Sequence, residues 1–390
     1  MFKRTMIAAS LAVAALASAQ SMAAVVGGGA TLPQGLYTTP GVLGTGFDTY
    51  TGVGSGKGKS AFLNNLPADI SKPAGVTVDF AGSDSILTGT EISNYNAAHN
   101  SAGNTPANKW GPLIQAPSAA TSVTVPYKLT LDDGTAVTDL NLTSGDLCKI
   151  FSGSVTTWNQ LYPSLPTKPI QVFYRDGSSG TSEIFTRHLN ARGLTGAADD
   201  AACVGEFGVS STFLTAVGGS VPANFTAVAS SSAMATSATT IEGAIGYVGP
   251  EDVDATNNAK VARVNGQLPT VGNVQTALAG ALPPSTAADR ADPSKWVPVL
   301  PNPTSGYSMV AYTNLIFGQC YLDAADGTNV RGFINRHYGT SNNNDAAIIA
   351  QKLIPLSTAW KNAVRLQFGN QANTLGVNNT NVCNQQGRPV

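Results

Sequence analysis

Tyr174-Arg175-Asp176-Gly177-Ser178-Ser179-Gly180-Thr181-Ser182-Glu183 lies between an apolar run, Ile170 to Tyr174, and a periodic one, Ile184 to Leu189. The pattern reads as strand, tight polar turn, helix. Such a turn gathers an arginine, several hydroxyls and the free N–H groups of a helix start around one point, which suits a tetrahedral oxyanion.

The same grammar recurs earlier. Val25-Val26-Gly27-Gly28-Gly29-Ala30-Thr31-Leu32-Pro33 runs from a short apolar strand into a turn that places Thr31 and Leu32 beside free helix N–H groups. Phe47 to Tyr50 is predicted as a strand leading into the glycine-rich stretch Gly52 to Ser60, which carries the hydroxyl of Ser55. Val76-Thr77-Val78-Asp79-Phe80 alternates as a strand and closes on Ala81-Gly82-Ser83-Asp84-Ser85, ahead of a helix that Thr88 and Glu91 can cap. Loops of one kind at the carboxyl ends of successive strands predict an α/β domain.

Composition narrows the function classes. The chain opens with Lys3 and Arg4, an Ala-rich apolar stretch from Met6 to Ala19, and small-residue cleavage options up to Ala23. This is the pattern of a secretory signal peptide over residues 1–23 and implies a periplasmic or secreted product. Without Lys3 and Arg4, 20 basic residues face 23 acidic ones, a formal charge of −3. An anion must then be held by aimed donors, and nucleic acid is an unsuitable partner because it needs a basic stripe. Length predicts about two domains. They are placed at 24–120 and 298–390 for the first and 121–297 for the second, and a monomer is expected. Of the three possible pairings of four cysteines, Cys148–Cys203 and Cys320–Cys383 keep each bridge inside one domain. Their spacing is not of a metal-binding type, and no cofactor or metal is expected.

Competing motifs fail on single residues. A P-loop needs glycine where Val53 stands, and a dinucleotide fingerprint needs one at Lys57. Gly177-Ser178-Ser179-Gly180-Thr181 departs from a hydrolase nucleophile elbow at Thr181. A serine hydrolase also needs a histidine, and His99, His188 and His337 are the three present, His188 reading as a surface or packing residue. Asp84 has two readings: a turn carboxylate, or the acceptor of a proton that hydrogen phosphate carries and sulfate lacks.

Taken together, Gly-Gly-Gly-Ala-Thr-Leu-Pro, the Gly-Ser-Gly loop, Asp-Phe-Ala-Gly-Ser-Asp and Arg-x-x-x-Ser-Gly-Thr resemble the periplasmic phosphate-binding proteins of ABC importers, with their DING branch nearest. Leu147-x-x-Ile150-Phe151-x-Gly153 before Trp158, Ala244-Ile245-Gly246-Tyr247-Val248 and Gly306-Tyr307-Ser308 extend the likeness over nearly all of the mature chain. The resemblance implies a two-domain, class II periplasmic-binding-protein fold, with a ligand cleft between the domains and two hinge strands. It also implies inorganic phosphate as ligand, and an ABC permease as a partner. Carried over by motif, Thr31 and Leu32 supply hydroxyl and backbone donors, Ser55 a further donor, and Asp84 the proton acceptor. Arg175 supplies the charge, and Ser179, Gly180 and Thr181 hydroxyl and N–H donors. The runner-up is a secreted phosphomonoesterase built on the same pocket. Two departures stand out: the family's arginine-supporting aspartate falls two residues after the arginine, where Gly177 stands here and Asp176 precedes it. Ala24-Val25-Val26 replaces the Asp-Ile-Asn that precedes glycine in the DING signature.

Overall fold

A computed structural model describes residues 24–389. The signal peptide expected over residues 1–23 lies outside the described residues, and no helix among them is long and apolar enough to cross a membrane.

The first sheet is built from β1 (Gly27–Gly29), β2 (Thr51–Gly52), β3 (Phe80–Ser83), β4 (Leu113–Ser122) and a late strand, Val310–Gly318. The predicted strand at Phe47 to Tyr50 is displaced. Phe47 makes an isolated bridge to Val25, and the paired residues are Thr51 and Gly52. β1 runs parallel to β2 and β3, so the loops after all three leave from one edge. Two of them lead into helices, α1 (Gln34–Thr38) and α2 (Ser55–Asn64), while the loop after β3 reaches α3 (Gly89–His99). Thr88 and Glu91 form the capping box expected for α3.

The second sheet takes β5 (Tyr127–Lys128), β6 (Gln171–Arg175), β7 (Phe225–Val228) and β8 (Ala244–Ile245) in the order β5-β8-β6-β7. Here β6 is parallel to both neighbours. β6 delivers the chain to α5 (Gly180–Arg192), which follows α4 (Ser144–Ser152), and β7 delivers it to α6 (Ser231–Thr240). The strand–turn–helix grammar therefore holds at Arg175. Val172 in β6 and Ile184, Phe185 and Leu189 in α5 are buried in the hydrophobic core.

Two extended segments join the sheets. β4 passes through Val123 to Val125 into β5, with Thr124 bridged to Val248. The return runs through Tyr307 to Val310, where Met309 O accepts from Val123 N–H at 3.0 Å and Tyr307 donates to Val123 O at 2.8 Å. The late strand, β9 (Val310–Gly318), is antiparallel to β3 and β4 and sits between them. Residues 271–296, expected in the second domain, pack on the first-sheet side. Within them α7 (Val271–Leu278) contacts β9, and Trp296 packs at a tilt against Phe368 with 4.5 Å between ring centres.

After β9 come α8 (Ala324–His337), α9 (Asp345–Ala350) and α10 (Thr358–Phe368), with Pro355 in the break between the last two. The disulfides are Cys148–Cys203 and Cys320–Cys383, the pairing that keeps each bridge within one domain.

Candidate anion site between the two domains

The loops after β1, β2 and β3 face the turns after β6 and β7. Thr31 Oγ1 lies 3.5 Å from Ser231 Oγ, an approach between residues of different sheets. A Cβ placed on Gly180 would stand 2.4 Å from Asp84 Cβ and 2.6 Å from Ser55 Oγ. One placed on Gly56 would meet Ser178 Oγ at 2.2 Å. Glycine is thus the residue that lets the two walls touch at these points, and the cleft is closed.

Arg175 is the charge at its floor. Only 6% of the residue is exposed, and no carboxylate among the described residues pairs with it within 4.0 Å. Nη1 donates to Ser231 Oγ at 2.9 Å and Nη2 to Ala229 O at 3.4 Å, while buried Nε has no partner. The Arg175 N–H donates to Tyr247 Oη, which also lies 2.8 Å from Ser182 Oγ, so Tyr247 ties β6 to the first turn of α5. Burial lowers the guanidinium's pKa, and a buried cation without an ion-pair partner is costly unless an anion completes it.

Asp176 does not fill that role. It is exposed, and it appears in none of the ion pairs or side-chain hydrogen bonds of Arg175.

Around this cation the donors are unspent. Ser179 caps α5, with Oγ accepting from Ser182 N–H at 3.4 Å. Gly180 and Thr181 occupy the helix's first two positions, where an N–H has no acceptor inside the helix. Thr181 is buried with its hydroxyl at the same helix start. Ser55 opens α2, and its Oγ accepts from Asp84 N–H at 3.0 Å, which leaves its O–H hydrogen to be donated elsewhere. Thr31 is half-buried, and Leu32 is packed into the core by its side chain.

Asp84 is a buried carboxylate on the facing wall. Its residue is 4% exposed, and Oδ1 is buried with no hydrogen-bond partner. Burial pushes its carboxyl up from the usual 3.8 to about 7; the Thr313 hydroxyl and Arg175 pull it back, and Glu183 adds to the rise. An unpartnered carboxylate oxygen facing a helix start from the other domain suits a ligand that brings a donor of its own.

The sequence reading missed several supports. Ser231, Ala229 and Tyr247 orient Arg175, and Ser211 accepts from Ser179 N–H at 2.8 Å and from Ser178 Oγ at 2.9 Å. Ser231 is the first residue of α6 and follows its cap, Ser230, which holds the place that Ser179 holds before α5. Glu251 is a further buried acid with both oxygens unpartnered, its pKa raised mainly by burial. The histidines are engaged elsewhere. His188 is buried between Ser144 Oγ (2.9 Å) and Pro301 O (2.8 Å), His337 contacts Ser118, and His99 stacks on Trp110. Ser179 therefore has no base of the triad kind.

Two α/β domains joined by extended crossovers, with unspent donors on both walls of a closed cleft, have the architecture of a two-domain periplasmic-binding-protein fold. The chain belongs to the PBP superfamily, whose domain matches residues 38–335. It is 50% identical to a protein of Pseudomonas aeruginosa named alkaline phosphatase L, over all of both chains. A phosphate-binding protein from Stenotrophomonas maltophilia, solved by X-ray crystallography, superposes with a TM-score of 0.84 at 42% identity, covering 94% of this chain and all of that one. A high-affinity periplasmic phosphate-binding protein, PfluDING, solved with bound phosphate, gives 0.83 at 44% identity over the same shares.

Proposed function

We propose that the protein captures inorganic phosphate in the cleft between its domains, for uptake or for scavenging outside the cytoplasm. The relatives solved as phosphate-binding proteins support this reading, and one observation in the chain itself carries it. Arg175, a buried cation with no carboxylate partner, faces Asp84, a buried carboxylate with an unpartnered oxygen. A dianion bearing one proton satisfies both at once.

In this arrangement Arg175 and the N–H groups of Gly180 and Thr181 take the unprotonated oxygens. The hydroxyls of Thr31, Ser55, Ser179 and Thr181 and the N–H of Leu32 complete the shell, and Asp84 accepts from P–OH. Donors from both domains make closure and binding one event. Sulfate brings no proton, so it would leave Asp84 unpaired and repelled. Two disulfides fit an oxidising compartment, and an ABC permease is the receiving partner for the uptake role.

Titration of phosphate-stripped protein with phosphate and with sulfate tests the reading. Tight phosphate binding with weak sulfate binding is expected, and equal affinities would sink it.

A hydrolytic reading is kept alive by the relative named alkaline phosphatase L. Turnover of an aryl phosphate by purified protein, with Arg175→Ala and Ser179→Ala as controls, separates the two. Hydrolysis abolished by both substitutions would make the pocket catalytic. Hydrolysis that survives both comes from elsewhere.

A further inference from the structure

Beyond the anion site, one charged contact joins the two domains. Lys352 Nζ donates to Glu251 O at 3.1 Å and to Val253 O at 3.0 Å, at the end of the short 3-10 turn Pro250–Asp252 that follows β8. Its two ends belong to different bodies. Val253 is buried in the second domain with Phe173, Met234 and Val248. Lys352 stands two residues before Ile354, whose N–H and C=O exchange hydrogen bonds with Ala120 of β4 at 3.0 and 2.8 Å. The ion pairs among the described residues all stay within one domain, and Lys352 is in none of them. The contact borders the anion site, since Glu251 and Asp252 act on the charge of Arg175, and Asp84 on that of Glu251.

The lysine also occupies an unusual place. α9 closes with Lys352 N–H donating to Ile349 O at 2.9 Å and Leu353 N–H to Ile348 O at 3.1 Å, the pair of bonds that ends a helix on a left-handed residue. Lys352 adopts that conformation, with φ 58°. A Cβ is disfavoured there, and glycine or asparagine is the usual choice. Glycine would end α9 with less strain and could not reach the second domain. A disfavoured backbone kept at a residue whose side chain crosses between domains points to a use for that side chain.

We propose that Lys352 is a latch that slows reopening of the cleft after the ligand has entered. This inference rests on the phosphate reading of the cleft. With the domains apart, water solvates the ammonium and both carbonyls. With them together, one ammonium bridges two carbonyls at the end of a turn, an arrangement that suits a cation. The residue is exposed, so the contact is a modest one and sets the rate of opening, not the stability of the fold. Ligand meets the open cleft, where the latch is unmade, so association does not depend on it.

Stopped-flow measurement of phosphate association and release by the full protein tests it. Lys352→Gly and Lys352→Met should each raise the release rate at least fivefold and leave the association rate within twofold of wild type. Lys352→Arg keeps donors on a long stem and should release within twofold of wild type. Stripped Lys352→Gly protein should melt no lower than wild type, because glycine relieves the left-handed backbone, which separates the latch from any weakening of the fold. Lys260→Met removes an exposed charge of the second domain and should alter neither rate. Unchanged release in the glycine and methionine variants, or an effect confined to association, would overturn the latch alone. So would equal acceleration in Lys260→Met, or an arginine variant that releases as fast as the methionine one. Wild-type protein that binds no phosphate would overturn the phosphate reading and the latch together.

Discussion

Replacing Asp84 by asparagine changes one oxygen to an NH2 group and leaves the side chain's size unaltered. On the proposed reading the ligand's P–OH donates to this carboxylate, a charge-assisted hydrogen bond of about 1.5–3 kcal/mol. Its loss should weaken phosphate binding by roughly 10- to 150-fold. For sulfate the sign reverses. The wild-type carboxylate faces a fully ionised oxygen with no hydrogen between them, and the amide can donate to that same oxygen, so sulfate gains a similar amount. The phosphate-to-sulfate affinity ratio should therefore fall by about 10^2 to 10^4. Titration of stripped wild-type and Asp84→Asn protein with both anions reads the ratio directly. A ratio within threefold of wild type would refute the role assigned to Asp84. The same variant carries a stability signature without ligand. The folded-state pKa of about 7 lies above the ordinary 3.8, so Asp84 costs nothing below pH 4. Its cost grows as the pH rises toward 7 and is constant above, at most about 4 kcal/mol. Asp84→Asn should raise the melting temperature of stripped protein at pH 8 and leave it unchanged near pH 4.

Gly180→Ala brings a methyl group against Asp84 and Ser55 at 2.4–2.6 Å and should prop the domains apart. Faster phosphate release in stopped flow, and a larger radius of gyration by small-angle scattering in saturating phosphate, are expected. Arg175→Met should reduce phosphate affinity by at least 100-fold in calorimetry, whereas Asp176→Ala, at an exposed position without contact to Arg175, should stay within twofold. Reduction of the disulfides removes covalent closures over sequence separations of 55 and 63 residues. Each is worth about 4 kcal/mol on the chain-entropy estimate, so Cys148→Ser/Cys203→Ser should lower the denaturation midpoint clearly in urea.

The parts of this protein that were legible in the sequence are local ones. A glycine- and serine-rich turn between an apolar strand and a periodic helix carries its own geometry, so Arg175, Ser179, Gly180 and Thr181 fall where the pattern puts them. The loop of Ser55 and the turn of Asp84 do so for the same reason. The cysteine pairing followed from domain order. Strand limits near Phe47 were less legible. Only two residues there pair, and a strand that short has no alternation to read.

The tertiary structure alone decided which residues support the site. Ser231 is 56 residues from the arginine it contacts, and Tyr247 is 72 away; neither stands out within its own segment. Asp176 is the clearest case. Next to Arg175 in the chain it is a natural ion-pair candidate, yet successive residues at a strand's end point to opposite faces, so the arginine turns inward and the aspartate to solvent. A partner two residues on would have shared the face. The sequence by itself determined the turn and its chemical inventory. The pleat of β6 and the packing of β7 and β8 beside it decided that Arg175 is supported by Ser231, Ala229 and Tyr247, leaving its charge without a carboxylate partner.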